Sequence, residues 1–159
     1  SFRESARRLP ERPSDPWMSR QPAATAGGME HCGPWLRGPF ASVQVNVDQA
    51  GCNITGDAAN EPSIAVSAAD PAKIVIGFRQ FDSVVSNFRQ AGYAYSHDGG
   101  GSWTFPGTLI TGEFRSDPVL AADALGNIYY LSLVSDADLS FFYCELWRTS
   151  DAKLECSHS

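Results

Sequence analysis

No run in this chain stays apolar for the roughly 18 to 20 residues that a membrane-spanning helix needs, so no such span is expected. No Cys-x-x-Cys pair occurs among the four cysteines, Cys32, Cys52, Cys144 and Cys156. His31 beside Cys32 lacks the second, spaced ligand pair of a zinc site, so no metal is expected and no cofactor is implied. Nothing matches a nucleophile elbow, a phosphate loop or an HExxH helix. Clustered Lys and Arg are missing from the body of the chain. Past residue 40 there are 6 basic residues against 14 acidic ones, within a formal net charge of −6. Phosphate contacts need clustered cations, so a nucleic-acid partner is not expected.

What the chain does contain points to a packed core. Its 159 residues are 43% hydrophobic and 11% aromatic, which fits one domain or part of one. Residues 1–40 differ from the rest. They carry 6 Arg against 4 acids and are dense in Pro, Gly and Ser. Few apolar residues recur there at either period, so a disordered or loosely draped tail is expected. Four cysteines allow three pairings. Cys32–Cys52 is one candidate, and free buried thiols are the other reading. Asn53-Ile54-Thr55 has the form of an N-glycosylation acceptor, a triplet common by chance.

Order is expected to begin near Ser42, where Val43, Val45 and Val47 alternate with polar residues as in a strand with one apolar face. Residues 41–60 read as this strand and a linker. Short strands follow around Ile64–Val66, Ile74–Phe78, Tyr93–Tyr95 and Trp103–Ile110. They are separated by Asp70-Pro71, a polar loop and the turn Gly99–Gly101. The pattern then recurs. Pro62 and Pro118 lie 56 apart, Ile74 and Ile128 lie 54 apart, and Ser96 and Thr149 lie 53 apart. Four short strands per period of about 50 suggest an all-β fold of propeller-like units, each burying its sheet faces against its neighbours. The units are 61–112 and 113–151. The second stops after its third strand, and 152–159 is a polar tail. Such a chain is a fragment of about two blades, too short to close a propeller. Its free edges are expected to favour self-association.

One motif is sharp. Ser96-His97-Asp98-Gly99-Gly100-Gly101-Ser102-Trp103 resembles the Asp box, or BNR repeat, of the sialidase-like superfamily. Asp98 is suited to accept amides of its own turn. Gly100 suits a positive φ, Ser96 adds a hydroxyl, and Trp103 seals the corner by packing. The resemblance implies a structural box at the propeller periphery, not a catalytic Asp98. Thr149-Ser150-Asp151-Ala152-Lys153 looks like a degenerate second box in which Lys153 replaces the glycine. A positive φ there would be costly for lysine.

The resemblance also implies an extracellular or cell-envelope protein, with a glycan or an extracellular protein as partner. The expected function is a non-enzymatic binding or scaffold module. The alternative is a segment of a sialidase-like glycoside hydrolase whose catalytic blades lie elsewhere. In that family an Arg-Ile-Pro motif binds the substrate carboxylate. Here Asn60-Glu61-Pro62 stands in its place, and Glu61 would repel an anionic sugar. Asp82 and Asp117 are the candidate carboxylates for acid/base chemistry. Arg79 and Arg115 are the candidate anion contacts, with rim ion pairing as the other reading. Asp117-Pro118 repeats Glu61-Pro62, which suits a structural role at strand entry.

Overall fold

The structure, a computed structural model, describes residues 31–136, 138 and 140–154. Most of the expected tail, and Cys156 with the last residues, lie outside the described residues. Within them the protein is all-β, with nine antiparallel strands in three sheets. Strands β1 (Trp35–Arg37) and β2 (Phe40–Ser42) form a small exposed hairpin. A four-stranded sheet runs β3 (Ala58–Val66), β4 (Ile74–Phe81), β5 (Gln90–Ser96) and β6 (Thr104–Thr108). A three-stranded sheet runs β7 (Arg115–Ala122), β8 (Ile128–Ser135) and β9 (Phe142–Thr149). Beside β9, where β6 lies in the first sheet, no strand stands among the described residues. No helix there is long and apolar enough to cross a membrane.

Two expectations for the start of the chain are corrected. Residues 31–40 are not a draped tail, because they include β1 and lead into β2. Cys32 pairs with Cys52 in a disulfide, and the backbones of the two cysteines bridge. The segment Val43–Val47 is not a strand despite its alternation. The chain bends at Val45–Asn46, and Val47 alone bridges to Asn53. Alternation describes which side chains face inward, but a ladder also needs a neighbouring strand to pair with. Among the described residues the backbone of this segment pairs through the single Val47–Asn53 bridge. Cys144 is a free, exposed thiol.

The repeat in the sequence is a repeat in register. In the first sheet Ile64 faces Ile76 and Val66 faces Ile74; in the second Leu120 faces Tyr130 and Ala122 faces Ile128. Ile74 pairs with Ser96 as Ile128 pairs with Thr149. Both first strands carry a bulge at the same place, between Asn60 and Ser63 in β3 and between Ser116 and Val119 in β7.

The two larger sheets pack face to face. Ala65, Val75 and Tyr93 meet Leu120, Ile128, Tyr130 and Trp147 in one buried cluster. Gly77 makes the approach possible, since a Cβ there would fall 2.4 Å from Tyr130 Cε2 and 2.7 Å from Leu120 Cδ1. Tyr130 is wholly buried in that notch, and its hydroxyl donates to the Gly92 carbonyl at 3.1 Å. A buried phenol without a partner would destabilise the core. Burial keeps the Tyr130 phenol far above its ordinary pKa, against a smaller opposite effect of the Arg115 charge.

Candidate functional site

The two bulges lie side by side at one rim of the packed sheets. Each holds an acidic residue just before a proline and at positive φ, Glu61 at 50° and Asp117 at 52°. Side chains resist that region because Cβ crowds the backbone, and the cost is of order 1–3 kcal/mol per residue. Arg79, from the far end of β4, spans the pair. One guanidinium nitrogen bonds Glu61 of its own sheet, and another bonds Asp117 of the neighbouring sheet. Its Nε donates to Ser116 Oγ at 2.8 Å, and Ser116 donates to Asp117 Oδ1 at 3.0 Å. Burial raises the Asp117 pKa. Hydrogen bonds from Arg79 and Ser116, with the charges of Arg79 and Arg89, outweigh it and leave the carboxyl below its ordinary value. Asp117 is therefore ionised at neutral pH and suited to accept hydrogen bonds, not to act as a general acid.

Arg115 points between the sheets and is 1% exposed. Its Nε and Nη2 reach Glu113 Oε2 at 2.9 and 2.7 Å, and Nη1 reaches Ser132 Oγ at 3.0 Å. Nη2 also lies 2.5 Å from Glu145 Oε2, which accepts the Trp147 indole N–H at 3.1 Å. The guanidinium sits 5.7 Å from the centre of the Trp147 ring. Every arm of Arg115 is engaged, and its charge is met by two carboxylates. Arg79 is likewise matched by two. An anionic ligand at either arginine would have to displace carboxylates already in place.

Asp82 stands apart from the Arg79 pair. Its Oδ2 accepts from Gln90 Nε2 at 2.9 Å, and Gln90 Oε1 accepts the Gly112 amide at 2.8 Å. Nearby on the strand, the buried Gln80 donates to Asp57 Oδ2 at 2.9 Å. Of the four candidates, the fold brings Arg79 and Asp117 into contact. Arg115 has partners of its own, and so does Asp82. The sequence reading treated Glu61 as a repellent neighbour and missed Ser116, Glu113 and Glu145. The repeated acid–proline pair 56 residues apart marks the bulges. The reach of Arg79 across to a second sheet has no local signature.

The Ser96–Trp103 corner closes β5 onto β6. Asp98 Oδ1 accepts the Ser102 amide at 2.9 Å and the Ser96 hydroxyl at 2.7 Å, and Oδ2 accepts the Ser102 hydroxyl at 2.6 Å. The Gly100 amide donates to Ser96 Oγ at 2.9 Å. Gly100 has φ 91°, and a Cβ there would lie 3.6 Å from the half-buried Trp103 ring. The Ser102 hydroxyl and amide, then the Ser96 hydroxyl, hold the Asp98 carboxyl far below its usual range. Such a carboxylate is occupied by its own turn. The second corner repeats the start of the motif: Thr149 donates to Asp151 Oδ1 at 2.7 Å, and the Asp151 amide donates to Thr149 Oγ1 at 3.2 Å. The expected strain at Lys153 is corrected. Ala152 takes the positive φ, 72°, matching Gly99 at 72°, while Lys153 N–H donates to Asp151 Oδ1 at 3.2 Å. In both corners the residue directly after the aspartate has positive φ, and in the first corner Gly100 follows it with a second.

Among the described residues no group of three or more His, Cys, Asp or Glu is placed to hold a metal ion. The chain matches no family model, no curated protein and no solved structure.

Proposed function

We propose that this chain supplies two consecutive blades of an Asp-box β-propeller. It would serve as a non-enzymatic binding or scaffold module outside the cell or in its envelope. The observation that carries the reading is the doubled construction. Both sheets have the same register, the same acid-bearing bulge at positive φ and the same Ser/Thr-x-Asp corner. Strained, over-determined backbone recurs where ligands are held. The rim it forms presents the half-exposed carboxylates of Glu61 and Asp117. Ionised carboxylates accept hydrogen bonds from hydroxyl groups, so the ligand class that fits is a neutral polyhydroxylated glycan. A sialidase-like hydrolase is the weaker reading. Asn60 stands where a carboxylate-binding arginine belongs, Arg79 is already neutralised, and Asp117 is held ionised.

A glycan array probed with the 159-residue chain and with its Asp117→Asn variant tests this. Retention of neutral glycans by the chain, weakened in the variant, is the expected result. Retention of sialylated glycans alone would contradict it. Hydrolysis of a fluorogenic sialoside would overturn the non-enzymatic reading.

A further inference from the structure

The interface between the two large sheets joins unlike faces. The first sheet presents Ala65, Val75, Gly77 and Tyr93, and the second covers them with Leu120, Ile128, Tyr130 and Trp147. Strand register carries each set onto the other sheet. Ala121, Tyr129, Leu131 and Leu146 of the second sheet hold the positions of Ala65, Val75, Gly77 and Tyr93. They lie on the face turned away from the first sheet, where Leu146 is 59% exposed and Val119, at the position of Ser63, is 55% exposed. Conversely, Ile64, Ile74, Ile76 and Ala94 hold the positions of Leu120, Ile128, Tyr130 and Trp147. They lie on the outer face of the first sheet. Ala94 and, farther along β4, Phe78 and Gln80 are already covered there, which leaves the open part of this face around Ile64, 56% exposed, and the adjoining Val66, 45% exposed. One end of the molecule thus repeats the face that is covered inside it, and the other end repeats the face that does the covering.

We propose that a second copy of this chain is the occupant, with the outer face of β7–β9 of one copy seated on the outer face of β3–β6 of the next. The match extends to size. Inside the molecule a large knob, Tyr130, fills a glycine notch at Gly77. Between copies the notch position holds Leu131 and the knob position holds Ile76, so a filled notch meets a shortened knob. Cys144 holds the position of Ala91, which is 2% exposed inside the interface, so assembly buries this thiol. The position of Arg79 is Leu133, so the ion pairs that join the sheets inside the molecule have no counterpart between copies and the contact withstands salt. Arg148, at the position of Tyr95, is the exposed cation on this face. Because the joined faces differ, the contact is heterologous. It extends into a chain of copies unless the rotation closes a ring.

Light scattering coupled to size exclusion, run over a concentration series, tests the proposal with the full chain and two variants, Ile64→Glu and Leu146→Glu. The wild type is expected to grow beyond the monomer with concentration, equally in low and high salt. Every contact needs both faces, and each variant has the same one blocked in all its copies, so alone it is expected to remain a monomer. A mixture joins the intact β7–β9 face of Ile64→Glu to the intact β3–β6 face of Leu146→Glu. Since the faces blocked in the two variants oppose each other nowhere in that pair, the mixture is expected to form a one-to-one complex and nothing larger. Alkylation of Cys144, read by peptide mass, is expected to slow in the wild-type assembly and in that complex only for the Ile64→Glu partner. Circular dichroism checks folding, and Val66→Glu and Val119→Glu repeat the test should either first variant unfold. A wild type monomeric up to its solubility limit overturns the proposal. So does a mixture of folded variants that forms no complex, or a single variant that still associates with itself.

Discussion

Removing the Arg115 guanidinium strands the buried Ser132 hydroxyl and leaves Glu113 and Glu145 without their shared cation. Breaking a buried ion pair from one side costs about 3–5 kcal/mol. Both glutamates here are partly exposed, at 31% and 40%, and can turn to water. Arg115→Ala is therefore expected near the low end, about 3 kcal/mol. Arg115→Met, which keeps most of the packing against Trp147, is expected to lose less. Urea unfolding checks both, with a lowered midpoint and an unchanged slope. Equal losses would assign the cost to the charge alone, while a negligible loss in Arg115→Ala would mean that the cluster contributes nothing to stability. The aspartates follow a different logic at this scale. Asp48, Asp98, Asp123 and Asp136 each accept the amide four residues ahead at 2.7 to 2.9 Å. A short carboxylate thus closes each of these turns through local bonds.

At the scale of the elements, the notch at Gly77 sets how closely the sheets approach. Gly77→Ala places a methyl group against the Tyr130 ring and is expected to cost about 1–3 kcal/mol by overpacking. Tyr130→Leu removes the ring and its hydroxyl bond to Gly92, and is expected to cost about 2–4 kcal/mol, chiefly through the cavity. The double variant should lose less than the two single losses together, because the new methyl occupies space the ring has left. Strict additivity in a double-mutant cycle would show that the two positions do not share that space. Strands β3 to β9 were legible because their apolar alternation is bounded by Asp-Pro, Gly-rich and Gly-Asn turns. The hairpin Trp35–Ser42 was not, because three-residue strands are too short to show a period and Pro34 and Gly38 read as loop. Val43–Val47 misled for the opposite reason, having the period without a partner strand. At the candidate site the acid–proline repeat was visible, and its role at strand entry came out as a bulge. Its clamp by Arg79 depends on how two sheets meet, which no local window contains.

At the scale of the whole molecule, five aspartates among the described residues are held below their ordinary pKa, namely Asp98, Asp117, Asp123, Asp136 and Asp151. Hydrogen bonds from neighbouring side chains lead the effect at Asp98, Asp123, Asp136 and Asp151, while at Asp117 such bonds and nearby cations overcome burial. An unfolded aspartate titrates near about 3.9. Below that pH the unfolded chain binds protons that the folded chain refuses, so stability falls as pH falls. The contribution is complete above about pH 5 and is lost progressively as the pH drops through the folded values. The urea midpoint is expected to stay level from about pH 7 to 5 as far as these groups decide it, then to decline steeply below about pH 4. Arg79→Gln should lower stability at neutral pH by about 1 kcal/mol, a modest loss because Glu61 and Asp117 are half-exposed. It should also shrink the acid decline, since Asp117 no longer has its cation to lose. Salt separates the two mechanisms. It screens the Arg79 pair but leaves the hydrogen-bonded turns nearly untouched, so most of the acid decline should survive in high salt. A decline that salt abolishes would mean that exposed ion pairs, and not the aspartate turns, hold the molecule against acid.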